Sequence, residues 1–179
     1  MACIAKITIM IEIREFHPDE IDLYMQIRLE ALETNPHAFG STAVDFKRQP
    51  RTFYQKRLQN NYESADIVML VALDKNRPIG MMGVVRNSHP KRLHTATVTA
   101  VFVSPTYRGR GIASRMLDQI VIRSKAMDGL EQLYLSVVSD NHPAIALYKS
   151  RGFIRYGHAP RVKKWENRYF DDDFMVLYF

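Results

Sequence analysis

Two stretches of the sequence combine residue types suited to binding an anion and to donating a proton. The first is RGRGIA at 108–113, which follows a run of β-branched residues and precedes a helical pattern. Glycines let a backbone approach an anion closely, and free N–H groups at a helix N-terminus bind phosphate oxygens. The two arginines add positive charge. The stretch is therefore suited to a pyrophosphate, although its spacing matches neither the dinucleotide fingerprint nor the Walker P-loop.

The second stretch places Asn141, Ala144 and Tyr148 at positions i, i+3 and i+7. This spacing puts the three side chains on one face of a helix, where the small alanine leaves room beside the tyrosine. Proline at 143 predicts the helix start and Gly152 its end. The purely structural interpretation of the same pattern is a half-buried core tyrosine with Asn141 as a helix cap.

Periodicity and turn residues predict the elements around these stretches. Strands are predicted at 7–14, 67–73, 79–86, 95–103 and 133–138, the second and third forming a hairpin. Helices are predicted at 18–35, 52–58, 111–129 and 141–152. In the tail, strands near 154–157 and 174–179 are separated by the polar segment 158–173.

Composition and charge are those of an ordinary globular protein. The 179 residues are 46% hydrophobic and 25% charged, which predicts one domain over 1–179. The net charge of +6 permits an anionic partner, but the basic residues are scattered, so no nucleic-acid binding is expected. Lys6, Glu12 and Arg14 interrupt the first apolar run. We therefore expect no signal peptide, no membrane interaction and a cytoplasmic location.

The metal-ligand residue types do not form a recognisable pattern. His89, His94, His142 and His158 show no repeated ligand spacing, and Cys3 is the single cysteine, so no metal and no internal disulfide are expected. The acidic run at 171–173 could attract a cationic substrate, and a solvated charge cluster is the alternative.

Both motifs resemble the GNAT N-acetyltransferase superfamily. Arg108, Gly111 and Ala113 match its phosphate-loop pattern Arg/Gln-x-x-Gly-x-Gly/Ala, and residues 141–153 are similar to its signature N-x-x-A-x-x-L-Y-x-x-x-G-F. Residues 28–42 look like a helix and loop common in one large group of these enzymes. The resemblance implies an α/β (α+β) fold. Its central, mixed but mostly antiparallel sheet would have about six or seven strands and about four flanking helices, with the fourth and fifth strands splayed apart.

The resemblance also implies a reaction, the transfer of an acetyl group from acetyl-CoA to an amine of a small molecule or peptide. Tyr148 would protonate the departing thiolate, and Asn141 would hydrogen-bond the pantetheine arm. Backbone groups of the fourth strand would pair with that arm and could polarise the thioester carbonyl, at Val101, Phe102 and Val103. The coenzyme A phosphates would bind to Arg108, Gly109, Arg110, Gly111, Ile112 and Ala113.

Several questions stay open at this level. Many relatives carry a glutamate on the fourth strand where this chain has Thr97 and Thr99, so no general base is assigned; ordered water and Glu30 are both options. The acceptor and the preferred acyl group are undetermined. The oligomeric state is also open, although homodimers are frequent in the family. A non-catalytic acetyl-CoA sensor or partner-binding module is the alternative to an enzyme.

Overall fold

The computed structural model describes residues 10–179, so Cys3 and the first part of the strand predicted at 7–14 lie outside it. At its centre is a seven-stranded sheet in the order β1-β2-β3-β4-β5-β7-β6. The strands are β1 Ile11–Glu15, β2 Ile67–Asp74, β3 Arg77–Arg86, β4 Thr95–Val103, β5 Gln132–Val138, β6 Ile154–Trp165 and β7 Arg168–Tyr178. Only β4 and β5 pair in parallel among them. The predicted mixed, mostly antiparallel sheet is confirmed.

Five α-helices flank the sheet within the described residues: α1 Ile21–Thr34, α2 Ala43–Arg48, α3 Arg51–Glu63, α4 Ile112–Lys125 and α5 His142–Ser150. The sequence pattern does not indicate α2, because its six residues are too few to show a helical period. Its start is nevertheless marked by Thr42, whose hydroxyl oxygen accepts a hydrogen bond from the Asp45 N–H at 3.0 Å.

The helices cover the two faces of the sheet with separate hydrophobic clusters. On one face α4 buries Met116, Leu117 and Ile120 against the sheet, as its apolar spacing predicts. On the other face α1 buries Ile27 and Leu32 in a second cluster. Each such side chain contributes roughly 1.5–3 kcal/mol through removal from water. The two clusters hold the sheet rigidly from both sides.

The pairing of β4 with β5 is short. It covers only Thr95–Thr97 opposite Gln132–Tyr134, after which the two strands separate. On its other side β4 contains an irregularity in the register with β3, at the point where Ala100 adopts a positive φ of 54°. A residue in the left-handed region bends a strand and redirects its backbone groups. The predicted splaying of the fourth and fifth strands is confirmed.

The tail differs from its prediction. The polar segment 158–173 does not separate two short strands but belongs to a long hairpin of β6 and β7, with Glu166 in the turn at a φ of 53°. The sequence lacked the alternation of a half-buried strand because the hairpin pairs charges instead. Asp172 is buried beside the Lys163 ammonium at 2.8 Å, and Asp173 lies 3.1 Å from Arg155. The interpretation of the acidic run as a solvated charge cluster is therefore wrong for these two residues.

Candidate active site

The separation of β4 from β5 opens a cleft of about 690 Å³ through the sheet. Its walls include residues 97–101 of β4, residues 135–138 of β5, and Asn141, Ala144 and Tyr148 of α5. Because ladder pairing stops at Thr97, the backbone groups of β4 that follow have no partner from β5. The cleft is therefore lined on one side by a strand edge that can pair with an extended ligand.

The three β4 residues singled out from the sequence differ in their side-chain positions. Val101 lines the cleft. Phe102 is buried in the α1-side cluster and Val103 in the α4-side cluster. The side chains of Phe102 and Val103 are therefore part of the core, so any contact that these two residues make with a ligand would come from their backbone groups.

Tyr148 is 4% exposed and lines the cleft from α5, with its ring 5.8 Å from that of Phe153. Burial raises the pKa of the Tyr148 hydroxyl, and no charged group counteracts this effect within residues 10–179. A raised pKa keeps the hydroxyl protonated at neutral and mildly alkaline pH. The side chain can therefore donate a proton into the cleft, but it is not prepared to remove one.

Asn141 has the helix-capping role that the purely structural interpretation predicted. Its side-chain oxygen accepts a hydrogen bond from the Ala144 N–H at 3.3 Å and so caps the N-terminus of α5. The same residue also lines the cleft. Since the capping bond uses only the oxygen, the side-chain NH₂ group is left to face a ligand.

The loop 108–113 joins β4 to α4 through left-handed glycines. Gly109 and Gly111 have φ values of 75° and 74°, and no atom lies within 4 Å of the position that a Cβ would occupy at either residue. Gly111 is the N-cap of α4 and brings no side chain to satisfy the first N–H groups of the helix. These donors stay available at the positive end of a fourteen-residue helix, as the sequence predicted.

The two arginines of this loop are held differently. Arg108 donates to the Asn35 side-chain oxygen at 2.8 Å and to the Val103 carbonyl at 3.0 Å, so it ties the loop to the end of α1. Arg110 is exposed, lies 5.0 Å from the Tyr107 ring centroid and donates to the Thr106 carbonyl at 3.1 Å. Arg110 is therefore the freer of the two to meet an anion, whereas Arg108 shapes the loop.

Most residues that line the far half of the cleft were not predicted from the sequence. It is formed by α1, α2, α3 and the segment between α1 and α2, and many of its side chains are aromatic or basic: Tyr24, Arg28, Phe39, Phe46, Phe53, Tyr54 and Arg57. A detectable signal existed, because Tyr24 and Arg28 are four residues apart on one face of the predicted first helix. Their meeting with α3 could not be read from that spacing.

No free carboxylate faces the cleft among the described residues. Asp45 is the one acidic residue in its lining, and its carboxylate already accepts the Thr42 hydroxyl at 2.7 Å and lies 3.5 Å from Arg48. Glu30, an option for the general base, does not line the cleft. The described lining therefore leaves no carboxylate unbonded.

One other group of residues in the described chain has the composition of a hydrolase triad. Ser139 donates to Asp173 at 2.9 Å, and His158 Nδ1 lies 2.9 Å from the same oxygen. The histidine contacts both partners through one nitrogen, so it cannot relay a proton between them.

Across residues 10–179 no cluster of three His, Cys, Asp or Glu could hold a metal ion. In the same range, no helix is long and apolar enough to span a membrane.

Comparison with known sequences identifies the family. A sequence model of the Acetyltransferase (GNAT) family matches residues 28–153. The chain belongs to this family. The match runs from Arg28 on α1 to Phe153 after α5, so it includes the splayed strands, the glycine loop and Tyr148. The resemblance inferred from the two motifs is confirmed.

Individual relatives are similar over part of the chain. The L-amino acid N-acetyltransferase AaaT of Escherichia coli is 26% identical over 123 residues, which cover 69% of this chain and 74% of that protein. The spermidine N(1)-acetyltransferase of Vibrio cholerae is 24% identical over 105 residues, or 59% of this chain. The chain spans 57% of the length of that relative.

The fold itself recurs in solved structures of GNAT proteins. The structure of yncA from Salmonella typhimurium, with its cofactor acetyl-CoA, has a TM-score of 0.81 and covers 94% of both chains. Sequence identity between the two is 18%, so this likeness concerns the fold alone.

Proposed function

We propose that this GNAT protein transfers the acetyl group of acetyl-CoA to a primary amine by direct attack in a ternary complex. The observation that carries the proposal is the cleft between β4 and β5, which brings an unpaired strand edge and the protonated Tyr148 hydroxyl together. Two relatives support an amine acceptor, since one is named for spermidine and another for L-amino acids. The yncA structure with acetyl-CoA supports the cosubstrate.

In this proposal the coenzyme spans the glycine loop and the cleft. Its phosphates meet the N–H groups of 109–113 with Arg110 beside them, while Arg108 holds the loop in shape. The pantetheine arm pairs with backbone groups of residues 101–103, and the Asn141 NH₂ group donates to it. The bulge at Ala100 supports this placement, because it turns backbone groups away from β3 at the start of the splayed region.

The proposed chemistry needs one proton donor from the protein. The acceptor nitrogen bonds to the thioester carbonyl carbon, the C–S bond breaks, and the departing sulfur takes the Tyr148 hydroxyl proton. A backbone N–H of the β4 edge stabilises the negative charge on the carbonyl oxygen. The amine loses its proton to water, and the same solvent returns a proton to Tyr148. Holding both substrates in one cleft supplies much of the rate.

A direct test is release of coenzyme A thiol from acetyl-CoA near pH 8, with a panel of polyamines, amino acids, aminoglycosides and short peptides. Turnover of any amine in the panel supports the proposal. Absence of turnover, together with a melting temperature that acetyl-CoA does not raise, would contradict it.

A second candidate, an acetyl-CoA sensor without turnover, is favoured by one observation. The described lining of the cleft offers no free carboxylate as a general base, since Asp45 is already bonded. The same experiment separates the two functions. A sensor would be stabilised by acetyl-CoA and would release no thiol with any acceptor.

A further inference from the structure

The far half of the cleft, which α1, α2 and α3 line, contains two arginines without an ion pair among the described residues. Arg28 of α1 and Arg57 of α3 both line it, and neither makes an ion pair or a side-chain hydrogen bond within residues 10–179. By contrast, Arg14, Arg51 and Arg151 each bind a carboxylate. Two arginines of one cavity are therefore available to bind an anion.

Arg28 is held in place by its surroundings without being neutralised by them. Its guanidinium carbon lies 4.9 Å from the ring centroid of Phe39. Burial lowers the pKa of Arg28, and the nearby Arg57 charge lowers it further, although Tyr24 and Tyr54 act in the opposite direction. Arginine stays charged nonetheless, so this half-buried, partly desolvated cation gains from pairing with an anion.

The remaining described groups of this half offer no unpaired carboxylate to a polycation. Asp45 is the one acid in the described lining, and Thr42 and Arg48 already engage it. Aromatic residues line the same half of the cleft, among them the exposed Phe53 and the buried Tyr54. An acceptor that combines an anionic group with an apolar body fits these walls, whereas a chain of ammonium groups would be repelled.

We propose that the acceptor is an amine that also carries a carboxylate, and that Arg28 and Arg57 bind this carboxylate. The planar guanidinium offers paired N–H donors that match the two oxygens of a carboxylate. Free amino acids with an apolar or aromatic side chain have this combination. The inference rests on the proposed acetyl transfer and narrows its acceptor class.

The test compares acceptors that differ only in the anion. Thiol release is measured with L-phenylalanine and L-phenylalaninamide, and with spermidine as a polycation. In Arg57→Gln and Arg28→Met, kcat/KM for phenylalanine should fall roughly 10- to 100-fold, while kcat/KM for the amide stays nearly unchanged. Lys56→Gln is the matched control, because it removes the same charge from the exposed side of the same helix. Arg57→Glu should reverse the preference in favour of the amide.

Melting temperature with and without acetyl-CoA separates the two proposals. If acetyl-CoA stabilises every variant, and the amide or spermidine reacts as well as phenylalanine in wild type and arginine variants alike, the carboxylate site is wrong while acetyl transfer stands. Binding of acetyl-CoA without turnover of phenylalanine also overturns the carboxylate site. Loss of both binding and turnover in the wild type overturns the proposed function. Because Arg57 is exposed, its variants test the carboxylate site even if Arg28→Met fails to fold.

Discussion

At the residue scale, Tyr148 combines two properties that usually conflict. Its ring belongs to the core, 4% exposed and packed against Phe153, yet it lines the cleft. Rigid packing fixes where the hydroxyl proton is offered, and burial prevents its early loss. The residue can therefore act as an acid without any charged neighbour.

We expect Tyr148→Phe to lower kcat by at least about 10-fold while acetyl-CoA still raises the melting temperature, since the substitution removes the proton donor and keeps the ring. Stopped assays of thiol release, with calorimetric binding of acetyl-CoA, measure the two effects separately. Tyr156→Phe, at an exposed position on β6, is the matched control and should leave both unchanged. Equal kcat for wild type and Tyr148→Phe would remove the proposed general-acid role.

The raised pKa of Tyr148 also predicts a pH profile. An unperturbed tyrosine loses its proton near pH 10. Burial raises the pKa, so the acid form persists above that pH and activity should not decline through ionisation of this group up to about pH 10. A kcat profile between pH 7 and 10 in the wild type tests this. A descending limb that disappears in Tyr148→Phe would show that the hydroxyl ionises earlier than its burial implies.

At the element scale, the loop and the N-terminus of α4 act as one anion site. Arg110→Glu should abolish measurable binding of acetyl-CoA, because it places a negative charge beside the free N–H groups. Gly111→Trp should do the same by filling the open space above the helix. Calorimetric titration gives the affinity, and the unliganded melting temperature of Arg110→Glu should match wild type. Lys91→Glu makes the same charge change at a distant exposed turn and should bind normally. Unchanged affinity of Arg110→Glu would rule out this loop as the phosphate site.

The bulge in β4 is a second element with a measurable cost. Ala100 occupies the left-handed region at a φ of 54°, where a β-branched side chain is strongly disfavoured. Ala100→Val should destabilise the fold by about 1–2 kcal/mol, and it should weaken acetyl-CoA binding if the bulge presents the backbone to the coenzyme. Urea unfolding and calorimetry measure the two consequences. Thr97→Val introduces valine into regular pairing on the same strand and should not reduce stability. A stable Ala100→Val variant would mean that the bulge readily rearranges.

At the scale of the whole molecule, paired carboxylates make stability depend on pH. Hydrogen bonds from Arg14 at 2.6 and 2.7 Å lower the pKa of Glu20 at the start of α1. Burial alone would raise the pKa of Asp173, but hydrogen bonds involving His158 and Ser139 outweigh it and the pKa is lowered. These groups bind protons more readily when unfolded. The stability that these ionised carboxylates give to the folded protein is therefore present at neutral pH. It is lost as the pH falls below about 4 and then through their lowered pKa values in the folded state.

We expect urea unfolding to show a steep loss of stability below about pH 4 in the wild type. Glu20→Gln should be less stable than wild type at pH 7 and approach it near pH 3, because only the ionised carboxylate benefits from Arg14. Asp128→Asn removes an exposed carboxylate outside any ion pair of the described residues and serves as control. A constant difference between Glu20→Gln and wild type across pH would contradict the linkage.

Much of the fold was predictable because its signals are local. The apolar face of α4, the β-branched run of β4 and the capping residues of α5 each lie within a few turns of chain, and each element formed where it was predicted. The full length of the β6–β7 hairpin was not predictable, because Lys163 and Asp172 form their ion pair only between its two strands. A strand stabilised by cross-strand ion pairs shows no alternation of apolar and polar residues.

For the site, the sequence alone determined the glycine loop, the helix face bearing Tyr148 and the family. These depend on residues close together in the chain, whose spacing sets their direction. Only the tertiary structure decided that β4 leaves β5 after Thr97, that Arg108 is held by Asn35, and that Arg28 and Arg57 line the same cleft. The physical reason is that side chains from elements distant in sequence together determine the charge of a cavity. The packing of α1 and α3 on the sheet determines which of their side chains face the cleft.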